Sequence, residues 1–239
     1  MMSATDTGSA CVNCNDWLYD QYLEAGAAMT SDSNKAKPSA NATLPAEDTV
    51  LEGRHVRLEP LTPEGALELA KALRHPEVFA GGFGGGPAGL PATDEAFADW
   101  LLGYTPGVER GRTYVIRLND DGAAVGTTSL YLADLKQRSV HLGYTAYAPE
   151  SWGAGLNPDV KRTVLDAVFG GGFHRAVFEV DNLNSRSQAA MRKLGAHHDG
   201  TLREHKLRAD GTFRDTVVFS ILEQEWDGVR AGLLARIPK

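Results

Sequence analysis

Tyr147-Ala-Pro-Glu-Ser-Trp152-Gly-Ala-Gly155-Leu-Asn-Pro158 is the stretch on which the reading of this chain turns. The alternating segment Arg138 to Tyr147 before it reads as a strand. Two glycines permit a tight reversal, and Pro158 reads as the first position of a helix running to Phe169 with Val160, Val164 and Val168 on one face. Such a joint aims backbone N–H groups outward at a helix N-terminus, where the macrodipole adds partial positive charge. It suits an anion such as a pyrophosphate and requires no lysine. A tight strand–helix turn whose glycines serve geometry alone fits the same residues.

Downstream, His174 to Val180 reads as a strand and Ser185 to Leu194 as a helix closed by Gly195. One helix and one strand separate Asn157 from Asn184, so both helices can start at the same sheet edge. Asn184 and Ser187 would then present an amide and a hydroxyl beside whatever the first turn holds. Thr201 to Arg208 and Phe213 to Leu222 pair across Asp210-Gly211, and Gln224 to Ile237 closes the chain as a helix.

Upstream, Arg54 to Leu61 alternates as a strand, and Thr62-Pro63 caps a helix carrying Leu67, Ala70 and Leu73. Residues 81–89, Gly-Gly-Phe-Gly-Gly-Gly-Pro-Ala-Gly, read as a loop; without a following Lys-Ser/Thr it is no nucleotide P-loop, which leaves a flap or a plain connection. Asp94 to Tyr104 reads as a helix through Phe97, Trp100 and Leu101. Thr113 to Asn119 and Ala124 to Ala133 form a hairpin across Asp120-Asp121-Gly122. The order implies one α+β domain around a mixed sheet.

The chain has 239 residues, a net charge of −7 and 42% hydrophobic residues, enough for one domain with an appendage. The charge is unevenly spread. Residues 1–48 hold seven acidic and two basic side chains, a net −5; the remaining 191 hold 24 and 22, a net −2. Residues 1–48 therefore read as an acidic extension, with a solvated linker from Ser31 to Pro45, and residues 49–239 as the functional domain. The acidity argues against nucleic acid and anionic membranes as partners. The absence of a long apolar stretch, of a signal-like start and of a disulfide framework points to a cytoplasmic protein. Cys11-Val-Asn-Cys14 reads as two ordinary thiols, since a structural zinc site wants four ligands and the extension has no histidine. Trp17, Leu18, Tyr22 and Leu23 share helical spacing, fitting a short helix that docks on the body or binds a partner.

Taken together, Trp152 to Asn157, Asn184-Ser-Arg-Ser187, Lys193-Leu-Gly195 and the strand ending Leu142-Gly143-Tyr144 resemble the GNAT family of N-acetyltransferases, of RimJ/RimL type, over about residues 50–230. The resemblance implies a GNAT-like, mostly antiparallel sheet flanked by helices and splayed near the cofactor strand. It implies acetyl transfer from acetyl-CoA directly to a primary amine, a protein N-terminus or a small amine, with no metal. Tyr147, Trp152, Gly153, Ala154, Gly155, Leu156, Asn157, Asn184 and Ser187 would bind the cofactor, the splayed strand holding the pantetheine arm. Ser187 would also serve the leaving thiolate. A homodimer is one compatible assembly.

Two positions depart from the family pattern. Asn157 stands where a small residue is usual, and His141 stands where many relatives carry glutamate. Histidine titrates near neutrality and can take the proton that an ammonium must lose, as can Glu150, Glu179, Asp181 or water. His141 would equally serve as a strand histidine that only hydrogen-bonds. The absent glutamate motivates an alternative, an acyl-CoA-binding regulatory module with little turnover; a scaffold whose extension recruits a partner is a third reading. His197, His198 and His205 read as surface or substrate-wall residues, and residues 76–93 and the Asp210 hairpin as walls of an acceptor pocket.

Overall fold

A computed structural model describes residues 41–239; the Cys11/Cys14 pair and the Trp17–Leu23 island lie outside the described residues. Eight strands form one sheet: β1 (Leu51–Glu52), β2 (Val56–Pro60), β3 (Gly111–Leu118), β4 (Ala124–Asp134), β5 (Ser139–Tyr147), β6 (Arg175–Asp181), β7 (His197–Leu207) and β8 (Phe213–Leu222). Their order is β1-β2-β3-β4-β5-β6-β8-β7, with every pairing antiparallel except β5 with β6. This is the mixed, mostly antiparallel GNAT-like α+β sheet expected from the sequence.

Successive strand residues point to opposite faces, and each face buries its own core. On one face α4 (Leu156–Gly170) and α6 (Trp226–Leu234) cover Leu58, Ile116, Leu130, Val140, Phe178 and Phe219. On the other, α1 (Pro63–Leu73), α2 (Pro76–Ala80) and α3 (Asp94–Tyr104) bury Leu69, Phe79, Phe97 and Leu101 over Val115 and Ala146. Helix α5 (Ser185–Leu194) links β6 to β7 and ends on Gly195 at φ 92°.

Several local expectations need correcting. Ala70 and Leu73 of α1 are buried as expected, but Leu67 is 44% exposed and Ala66 and Leu69 take the inward positions of its turn instead. Pro158 is the third residue of α4 rather than its first; Gly155, at φ 78°, is the cap. The 81–89 loop holds two 3₁₀ turns that bury Phe83 among Phe79, Trp100 and Tyr104, preceded by the unexpected five-residue α2. Part of the linker assigned to solvent packs on the body: Ala42 is 1% exposed, and Arg112 Nε donates to Pro45 O at 2.8 Å.

One polar anchor fixes α4 against the sheet. The Asp159 carboxylate, fully buried, accepts N–H bonds from His55 at 2.7 Å and Arg54 at 3.1 Å and pairs with Arg162 at 3.1 Å. Burial pushes its carboxyl up, but the two backbone donors and Arg162 outweigh that and hold it below the usual range. Gly53 is obligatory beside it, since a Cβ would sit 2.9 Å from Asp159 Oδ2 and 2.7 Å from Val56 O. Asp159→Ala, which strands these donors and Arg162, should cost about 2–4 kcal/mol in urea unfolding. Because the folded carboxyl titrates below its unfolded value near ~3.9, that contribution is complete above the unfolded value. It disappears as pH falls through the folded one, so the variant and the parent should converge in acid.

Candidate active site

Parallel pairing of β5 with β6 covers only Ser139–Arg175, Val140–Ala176 and His141–Val177. Beyond it β6 stays with β8 to Asp181, while β5 stays with β4 to Tyr147. Between Thr127↔Ala146 and Ser129↔Gly143 of that pairing, Tyr144 and Thr145 both oppose Thr128, and Tyr144 lies at φ 51°. A bulge of this kind bends its strand and redirects its side chains. The strands therefore part, and a cleft of about 970 Å³ opens between Leu142–Tyr147 and Phe178–Asp181.

The 152–158 turn and the start of α5 border this one cleft, as their common sheet edge requires. Gly153 and Gly155 both hold positive φ, 82° and 78°. Leu156 and Asn157, in the first turn of α4, have no preceding helical carbonyl to bond, so their N–H groups remain for an anion. Tyr147 Oη donates to Asn157 Oδ1 at 3.0 Å, and Trp152 Nε1 donates to Tyr147 O at 3.0 Å, tying the end of β5 to the turn. Asn157, in place of a small residue, thus braces the turn. Burial pushes the Tyr147 phenol far above its usual range, keeping it a donor. The Arg186 guanidinium lies 4.1 Å from the Trp152 ring centre, and Arg186, Lys193 and Arg236 add positive charge to the cleft wall. Ala154 N–H is taken by Ser151 O at 3.3 Å.

Asn184 is committed to structure. Its Oδ1 accepts from Ser187 N at 2.9 Å, and its Nδ2 donates to Gly81 O at 2.5 Å, so it caps α5 and holds the glycine loop. The loop is also held by Ala209 N–H on Gly85 O at 3.1 Å. The two expected walls, residues 76–93 and the Asp210 hairpin, therefore meet. Ser187, half-buried, borders the cleft.

The proton acceptors divide between cleft and interior. Glu179 borders the cleft, whereas His141 does not line it and packs against Tyr131 with ring centres 5.2 Å apart. His141 Nδ1 is buried without a hydrogen-bond partner, 3.6 Å from Glu179 Oε1. Burial pushes the His141 pKa down; Glu179 pulls it up, and Lys206 and Arg175 oppose that, so the ring is neutral at neutral pH. Burial raises the Glu179 carboxyl, but its ion pair with Lys206 outweighs that and brings it below the usual range. Asp181 is paired with Arg208 at 2.8 Å. His197 and Asp199 pair at 3.0 Å on the outer strand.

The chain matches the acetyltransferase (GNAT) domain family over residues 55–197. It belongs to that family. The family uses acetyl-CoA, and the parted strands with a donor-rich turn at the helix N-terminus are a fitting receptor for an elongated, pyrophosphate-bearing molecule. A Bacillus subtilis (strain 168) protein named "Putative ribosomal N-acetyltransferase YdaF" is 26% identical over 181 residues, spanning 73% of this chain and 94% of the relative. A GCN5-related N-acetyltransferase from Brucella melitensis superposes with a TM-score of 0.74 at 25% identity, covering 82% of this chain and 88% of its own. Mycobacterium smegmatis RimJ, in complex with CoA-disulfide, shares the fold with a TM-score of 0.65 at 21% identity, covering 81% and 97%. Among the described residues no three His, Cys, Asp or Glu side chains converge as metal ligands, and no helix is long and apolar enough to cross a membrane.

One of the cations lining the cleft is buried. Lys161, on α4, is 4% exposed; its Nζ bonds Thr145 Oγ1 at 3.3 Å and lies 5.7 Å from the Phe178 ring centre. It stands three and seven residues before Val164 and Val168, within the apolar stripe, and that placement was legible. Burial pushes its pKa down to about 8. Lys161→Met should raise the melting temperature at pH 7, by a few degrees for about 1 kcal/mol. The folded lysine binds its proton less tightly than the unfolded chain, whose value is near ~10.4. The penalty is therefore full below pH 8 and fades from there to the unfolded value, and the two melting temperatures should converge over that window in calorimetry.

Proposed function

We propose that this chain is an acetyl-CoA-dependent N-acetyltransferase that moves acetyl directly to a primary amine, with residues 49–239 as its catalytic domain and residues 1–48 as an acidic extension. The single observation that carries this reading is the opening between β5 and β6 onto the N-terminus of α4. A cytoplasmic setting and a protein N-terminus as acceptor belong to the same reading; the latter is supported by the name of the ribosomal N-acetyltransferase relative.

Acetyl-CoA would supply a thioester, an acyl group activated toward amines. Leu156 and Asn157 N–H, with Gly153 and Gly155 shaping their turn, would hold the pyrophosphate, and the free edge of β5 from Leu142 to Tyr147 would run alongside the pantetheine arm. An acceptor amine arrives mainly as ammonium, and the Glu179 carboxylate in the cleft wall attracts it. Neutral His141, 3.6 Å behind Glu179, can then hold the released proton through the carboxylate or a water. The Ser187 hydroxyl would donate toward the departing thiolate, which takes up the second proton that the amine nitrogen loses as the amide forms. Asn184, capping the helix, orients Ser187.

The test is thiol release from acetyl-CoA over a panel of amines and N-terminal peptides. Turnover should accompany acetylation of the amine, and Ser187→Ala should lower kcat about 10²-fold with little change in KM for acetyl-CoA. Because burial holds the His141 pKa below ~6.5, the rate should fall only as pH drops beneath that value. Glu179→Gln removes the charge that pulls His141 up, so whatever rate remains should decline at still lower pH. Tight CoA binding with no turnover on the whole panel would instead support the regulatory module.

A further inference from the structure

The β7–β8 hairpin brings three cations to the acceptor side of the cleft, all of them lining it: Lys206, Arg208 and Arg214. Lys206 pairs with Glu179, and Arg208 pairs with Asp181. Arg214 has no carboxylate partner among the described residues, and its Nε is buried with no hydrogen-bond partner.

Arg214 faces a set of phenols, and the Asp181 carboxylate, already paired with Arg208, also lies within reach of its charge. Its charge acts on Tyr104, Tyr131 and Tyr144, which line the same cleft. Tyr144 packs edge-on against both Tyr104 and Tyr131, each at 5.0 Å between ring centres, and the bulge at Tyr144 is what turns it there. Burial raises the pKa of all three phenols, Tyr104 to about 12, so each remains a hydroxyl donor at neutral pH. Thr216, the next residue on the same face of β8, is fully buried and its Oγ1 also lacks a partner.

A guanidinium left unpaired at a partly desolvated site is costly unless an anion completes it, and its planar fork matches a carboxylate. Glu179 offers the opposite charge on the same side, and it is the group that attracts the ammonium. We propose that the acceptor carries a carboxylate as well as the amine, and that Arg214 binds this carboxylate while the amine lies toward Glu179. The inference rests on the acetyltransferase reading and narrows it to amino acids, or to N-termini followed by an acidic side chain. Arg214 is then a specificity residue, and the tyrosine hydroxyls are auxiliary donors to the same carboxylate.

The test uses the full chain and acceptor pairs that differ only in the carboxylate: amino acids against their primary amides, and peptides with Asp against Asn at the second position. Intrinsic amine basicity cancels when the acid-to-amide ratio of kcat/KM is compared between variants. In one of the two acceptor classes the ratio should favour the acid about tenfold in the parent, chiefly through KM. Arg214→Gln should abolish that preference, and Arg214→Lys should keep part of it. The same ratio is read without turnover by calorimetric titration of N-acetylated acids against N-acetylated amides, so an inactive preparation still decides the question. Equal handling of acid and amide by the parent in both classes, or a preference that survives Arg214→Gln, would overturn the proposal. Acetylation of no amine at all, with the acid product still bound through Arg214, would refute the transferase reading and leave the carboxylate site standing.

Discussion

Parallel pairing of β5 with β6 stops after three residue pairs, at His141 and Val177, and the cleft exists because it stops there. Two strands that stayed in register would have closed the sheet and satisfied each other's backbone groups. The bulge at Tyr144 turns β5 away, and the edge it leaves is the free main chain along which an extended ligand can lie. The same departure turns Tyr144 toward Tyr104 and Tyr131 and leaves Glu179 as a cleft wall. The open edge of β5 and the tyrosine-lined wall beside Glu179 are thus two consequences of one local break in the ladder.

The break is tolerable only because its flanks are braced. Asp159 holds the start of α4 to the Gly53–His55 turn, and the Tyr147–Asn157 bond ties β5 to the first turn of that helix. Near the C-terminus, Pro238 O accepts from His55 Nε2 at 2.9 Å, and a Cβ on Gly155 would approach Pro238 Cγ to 2.9 Å. Backbone geometry at the 152–158 turn is therefore set by contacts from the preceding strand and from two distant parts of the chain. Such bracing lets N–H groups point at a ligand without reorganising when it arrives.

Much of this was legible in the residues. Gly153, Gly155, the helix after them and the Asn184 cap announce two helix N-termini at one sheet edge, because glycine and capping residues answer local backbone demands. Less legible was whatever depends on partners distant in sequence. Nothing in Gly143-Tyr144-Thr145 signals that a tyrosine will adopt positive φ, since the bulge is imposed by β4. Arg214 sits in an ordinary alternating strand, and only the pairing of its neighbours with Glu179 and Asp181 makes it conspicuous. The α2 helix, five residues long, is too short to show a period. His141 was visible as a departure from the family pattern; that it stands behind Glu179 rather than in the cleft required the register of β5 on β6.

A structure of the full chain crystallised with CoA tests the central claim most directly. The account predicts the pantetheine arm between Leu142–Tyr147 and Phe178–Asp181, with the pyrophosphate within hydrogen-bond distance of the Leu156 and Asn157 N–H groups. CoA bound elsewhere, or β5 and β6 closed into continuous pairing with CoA outside them, would contradict it.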